Sequence, residues 1–172
     1  MTELERIVDE LRRAHDGDPW HGLPLTKVLA GLSARAAATR PISTANSIWE
    51  ILLHVCAWTG EVRRRLQGRP PGEPPEGDWP VVQEVSDEAW EQAKVDLARA
   101  HEALIQELGS TRGERLWEIV GPPARDRALG TGTTFYVMLH GLVQHGVYHT
   151  AQIATIRRVL EEGAPSAQRA RT

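Results

Sequence analysis

The chain has 172 residues, 41% of them hydrophobic and 25% charged, which supplies one ordinary globular core and leaves no room for a second full domain. A formal net charge of -3 gives no basic field for a phosphate backbone, so nucleic acid is not an expected partner. A single cysteine, Cys56, excludes an internal disulfide, and no apolar run approaches membrane-spanning length, so the expectation is a cytoplasmic protein without a membrane contact.

Thr2 with Glu5 has the spacing of a capping box, and Leu4, Ile7, Val8 and Leu11 recur at three and four, which predicts an amphipathic first helix ending at Asp16-Gly17-Asp18-Pro19. Pro24 is placed as a first-turn proline. Leu25, Val28, Leu29 and Leu32 then predict one short helix before Arg40-Pro41. A second capping box, Ser47 with Glu50, opens a helix running to about Gln67, with Gly68 as its stop. Residues 69–80 hold five prolines and two glycines and read as an exposed connection. From Ser86 onward Trp90, Ala93, Leu97, Ala100, Leu104 and Leu108 form one stripe, with Gly109 at the place of a C-terminal cap. After a polar connection between Gly121 and Gly132, Thr133 or Thr134 can cap a last helix reaching Leu160 and closed by Gly163.

No alternating stretch of strand length survives, so the fold expected is all-α, a four-helix bundle with a short extra helix after the first. Residues 1–163 form its single domain, and 164–172 are expected to be a flexible tail. The six tryptophans are read chiefly as packing bulk, with Trp58 the best pocket candidate.

The chemistry lies in the histidines. His145 and His149 are one turn apart, offset by roughly 40° at about 100° per residue, so both rings can reach one ion. His140 is turned well away from them. The pair could equally be two exposed rings, and two histidines do not close a metal site. His54 lies at the margin of the stripe formed by Ile48, Leu52, Val55, Thr59 and Val62, a half-buried place suited to a hydrogen-bonded core ring or to a third donor. Three neutral imidazoles suit zinc, nickel, copper or ferrous iron and leave a coordination position for water or substrate. Glu50 is assigned to the helix start. Glu61 is expected to be solvated, or less simply to approach the ion as base or extra ligand. Gln152 could hydrogen-bond a metal-bound water, and His21 lies on a connection able to fold over a bundle mouth. His15 and His101 look like surface residues, and Cys56 points away from the ion as a small core residue.

The segments Ser47-Ile-Trp-Glu-Ile-Leu-Leu-His54 and His145-Gly-Val-Tyr-His-Thr-Ala-Gln-Ile153 resemble the second-helix and final-helix segments of the DinB family of helical-bundle metalloproteins, which includes bacillithiol S-transferases and is similar to the mycothiol-dependent isomerase bundle. The resemblance runs from about Leu4 to Leu160. It implies an up-down-down-up bundle, and His54, His145 and His149 as ligands of one divalent ion, with water completing the shell. It also implies a homodimer, and a small-molecule chemistry in which a low-molecular-weight thiol is activated to attack an electrophile. Hydrolysis by metal-bound water, or a non-enzymatic bundle with a structural ion, are the other outcomes. Many relatives carry Arg-Gly after the last ligand, where this chain has Thr150-Ala151, so an anion contact from that arginine is not expected here.

Overall fold

The computed structural model describes residues 1–163, and the tail expected at 164–172 lies outside the described residues. Six α-helices follow in order: α1 (Glu3–His15), α2 (Leu25–Leu29), α3 (Ala34–Ala38), α4 (Ile48–Leu66), α5 (Asp87–Ser110) and α6 (Phe135–Gly163), with a 3-10 turn at Gly113–Trp117. Among the described residues the only β pairing is an isolated bridge between Ile119 and Thr134, so the fold is all-α.

Both capping boxes form. The Thr2 and Ser47 hydroxyls accept from the amides of Glu5 and Glu50, whose carboxylates accept in return from the cap amides. Thr134 caps α6 by accepting from the Val137 amide. The helix expected after Pro24 is two helices instead of one. Gly31, at φ +75°, turns the chain between them, Ser33 caps the second, and Asp87 at the start of α5 accepts from the Ala34 amide. The helix expected to stop at Gly109 runs on to Ser110, where the Thr111 hydroxyl donates to the Glu107 carbonyl.

The long helices α1, α4, α5 and α6 pack together, α4 chiefly against α5 and α6. The short pair α2 and α3 is fastened to them by polar ties as well as by packing. Trp90 donates to Leu32 O, and Arg157 of α6 donates to the carbonyls of Val28 and Ala30. The core falls into two apolar clusters. One gathers Leu29, Ala37, Ile48, Trp49, Leu52, Trp90, Leu97 and Ile153. The other gathers Ile7, Val62, Leu66, Leu104, Leu108, Phe135 and Leu139. Between them runs a polar layer containing His15, Thr59, His101, His145 and Thr150, five residues that line one small cavity.

Several side-chain expectations change in the folded chain. Trp49 and Trp90 are packing bulk, but Trp20 and Trp117 are exposed. His15 and His101 are not surface residues: their rings stack face to face with centroids 4.0 Å apart, and His15 is buried. The last turn of α1 faces α5 at the polar layer, and the two rings cover one another there.

Candidate metal centre

Residue 54 lies in the second turn of α4, and residues 145 and 149 lie one turn apart in the middle of α6. Because α4 and α6 pack side by side, the three rings meet, and one ring nitrogen from each lies within 4.8 Å of the other two. Nε2 of His145 stands 2.9 Å from Nε2 of His54 and 3.1 Å from Nε2 of His149. His140, as the helical rotation requires, is elsewhere, between Glu3 and Glu10 of α1.

The outer nitrogens fix which atoms face the centre. Nδ1 of His54 lies 2.6 Å from the Asp78 carbonyl, and Nδ1 of His149 lies 2.7 Å from Oε1 of Gln152. Both oxygens can only accept, so both Nδ1 atoms carry the proton and both Nε2 atoms present lone pairs inward. One proton on His145 could bridge to one neighbour, but three converging nitrogens cannot all be satisfied by it. A shared cation satisfies all three. Two imidazoles on a tetrahedral ion with bonds of about 2.05 Å sit roughly 3.3 Å apart, so small ring rotations from the observed spacing suffice. The donor set fits a divalent transition metal.

Burial favours the neutral form of the two α6 rings, as ligation requires. Burial pushes the His145 pKa down to about 4, helped by its neighbours His149 and His54 and opposed by Asp78. Burial lowers His149 as well, partly offset by the hydrogen bond to Gln152.

The proline-rich connection 69–80 is more than an exposed link. It returns over α4, where Asp78 accepts from Trp58 Nε1 at 2.6 Å and Trp79 stacks on His54 with centroids 3.9 Å apart. That cover makes His54 buried, not half-buried. Nothing in the periodicity marks Asp78 or Trp79. Only the tryptophan in an otherwise polar, proline-rich stretch hinted at packing there.

Glu61 is not solvated and its carboxylate is fully engaged. It accepts from Arg65 Nε at 2.8 Å, Arg64 Nε at 3.1 Å and the Gly72 amide at 3.2 Å. Arg65, itself buried, gives its other two nitrogens to the carbonyls of Leu129 and Gly72. The pair therefore ties α4 to both loops around the centre and takes no place among the ligands. Gln152 holds the His149 ring instead of reaching toward a water at the ion. His21 is exposed on its connection and does not belong to the cluster. Cys56, packed at the core margin, has its thiol pKa pushed up to about 11 by burial, with Asp96 and Glu76 adding to the effect.

An open cleft of about 770 Å³ reaches His54 and His145, with Trp58, Val62, Met138 and Leu142 on its apolar side and the 125–131 loop on its polar side. A second, of about 540 Å³, lies behind Trp79 and His149 and is lined by Ile51, Tyr148 and Ile156. No helix among the described residues is long and apolar enough to cross a membrane.

The family model of the DinB superfamily matches residues 24–153 of this chain. A solved structure of a conserved protein from Enterococcus faecalis is similar in fold, with a TM-score of 0.69 over 94% of this chain and 99% of that one, at 18% sequence identity. No curated protein matches the chain.

Proposed function

The chain belongs to the DinB superfamily, and from that premise we propose that it is a metal-dependent transferase in which His54, His145 and His149 hold one divalent ion beside a small-molecule cleft. The observation that carries this reading is the convergence of three ring nitrogens at the wall of an open cavity. A cleft reaching the donors suits a centre that exchanges a ligand, whereas a purely structural ion would be sealed in.

When bound, the ion would act as a Lewis acid that makes the S–H of a low-molecular-weight thiol more acidic. The chain's residues do the positioning. Asp78 O and Gln152 keep two rings in the tautomer that offers Nε2, and Trp79 shields the His54 face from water. Arg65 holds the 125–131 loop at the cleft, where the exposed side chains of Arg125 and Arg127 place positive charge for an acidic group on the thiol. Asp126 turns back on the amides of Ala128 and Leu129. In the transfer, sulfur forms a bond to an electrophilic carbon, the leaving group departs with its bonding pair, and the thiol proton passes to solvent. The apolar wall of Val62, Met138 and Leu142 suits the body of that electrophile. A homodimer is part of the same reading.

Elemental analysis of purified wild type, His54→Ala and His149→Ala tests the centre, with stoichiometric metal expected only in wild type. Equal retention in all three removes it. Wild type loaded with zinc, nickel or ferrous iron is then given small thiols and a haloarene. Turnover lost in His54→Ala and kept in Cys56→Ser supports the transferase, and no turnover with any thiol overturns it.

A further inference from the structure

The three rings differ on their outer side. His54 and His149 give Nδ1–H to protein oxygens, whereas Nδ1 of His145 is buried with no hydrogen-bond partner among the described residues. If Nε2 of His145 faces the centre as a lone pair, Nδ1 must carry the proton and needs an acceptor. A second buried ring nitrogen in the same condition is Nε2 of His101, on α5.

Both rings line the small cavity of about 40 Å³ in the polar layer, together with Thr59 and Thr150, and both unpartnered nitrogens are themselves buried. The two hydroxyls donate to the carbonyls of Val55 and Gly146, which leaves their oxygen lone pairs free to accept. A buried water needs roughly 10–15 Å³ and two to four polar partners, and this cavity offers both. We propose that a water held there accepts from His145 Nδ1–H and donates to His101 Nε2, making His101 a positioning residue for the metal centre from the far side of the core. Its second proton goes to a threonine oxygen. The His15 ring, stacked on His101 with planes 8° apart, fixes the plane of the acceptor.

This rests on reading the three-imidazole cluster as a metal site, and the test separates the two. Co(II) is titrated into wild type, His101→Phe and His101→Gln, following both affinity and the visible d–d spectrum. His101→Phe, which keeps the ring and drops the acceptor, is expected to weaken Co(II) binding about tenfold or more and to alter the bands. His101→Gln, which restores an acceptor, is expected to recover most of the affinity. Wild type taking up no Co(II) overturns the metal reading and this inference with it. Wild-type binding with an unchanged His101→Phe, or equal losses in Phe and Gln variants, overturns this inference alone. Should the Phe variant not fold, a high-resolution crystal structure of wild type decides: density within hydrogen-bonding distance of both His101 Nε2 and His145 Nδ1 supports it, and its absence refutes it.

Discussion

The indole of Trp79 lies flat on the imidazole of His54, with centroids 3.9 Å apart and planes 9° from parallel. Trp79 is still 39% exposed, so its outer face meets solvent while its inner face covers the ring. Trp79→Ala uncovers His54. The stacking contribution lost is about 1 kcal/mol beyond the area term. Because Asp78 O still holds the ring, the expected effect is a several-fold faster release of metal to a chelator, with only a small fall in melting temperature. An unchanged release rate would mean that the indole does not gate access.

Gln152 accepts the Nδ1–H of His149, and that contact sets which nitrogen faces the centre. Gln152→Ala is expected to weaken metal binding by about tenfold, and Gln152→Glu to restore or exceed wild-type affinity because a carboxylate is the stronger acceptor. Competition titration with a chromophoric chelator measures both. Equal losses in the two variants would count against an acceptor role.

Arg65 and Glu61 are both buried and face one another. Arg65→Met leaves a carboxylate partnered only by Arg64 and the Gly72 amide, and is expected to cost on the order of 3 kcal/mol in urea unfolding. The double variant Glu61→Gln/Arg65→Met is expected to cost less than the single one, because no uncompensated charge remains. A double variant as unstable as the single would show that the loop ties dominate over the charge.

Burial lowers the pKa of His15, and that of His101 falls to about 4, with burial the main cause and His15 the next. A histidine lowered in the folded state binds fewer protons there than in the unfolded chain. Its contribution to stability is therefore fully present above the unfolded value near 6.5 and is lost as pH falls through the folded value. Metal-free protein is expected to lose stability steadily as pH falls from 6.5 to about 4, with His101 contributing at most about 1.4 kcal/mol per pH unit. His145, lowered to about 4 as well, contributes in the same window, so His101→Phe is expected to make that slope shallower, and a slope as steep in the variant as in wild type would place the titration elsewhere.

The helical framework was legible because its signals are local. Capping boxes at Thr2 and Ser47, Thr134 before α6 and the stripes between them need no tertiary information. His54 is a candidate third donor from its place on α4, but only likeness to a family joins it to the α6 histidines, because periodicity cannot say that α4 and α6 are neighbours. Glu61, His15 and His101 depart from the solvated places expected of them for one reason. Charged and polar residues on a helix face are read as solvated, yet Glu61 meets Arg65 and Gly72 from a loop, and His15 meets a ring on another helix. Asp78 and Trp79 lie in irregular chain, whose path no period describes.

The seam of imidazoles and threonines that parts the two oily clusters bears on how the molecule comes undone. Grease on either side can consolidate by itself, but three helices cross the divide, so their midpoints are where the two halves must agree. A cation seated at that junction would act as a rivet between adjoining nuclei. Without it, α4 and α6 would be held at that level by packing alone, and amides there are expected to exchange with deuterium sooner than those toward either end of the stack.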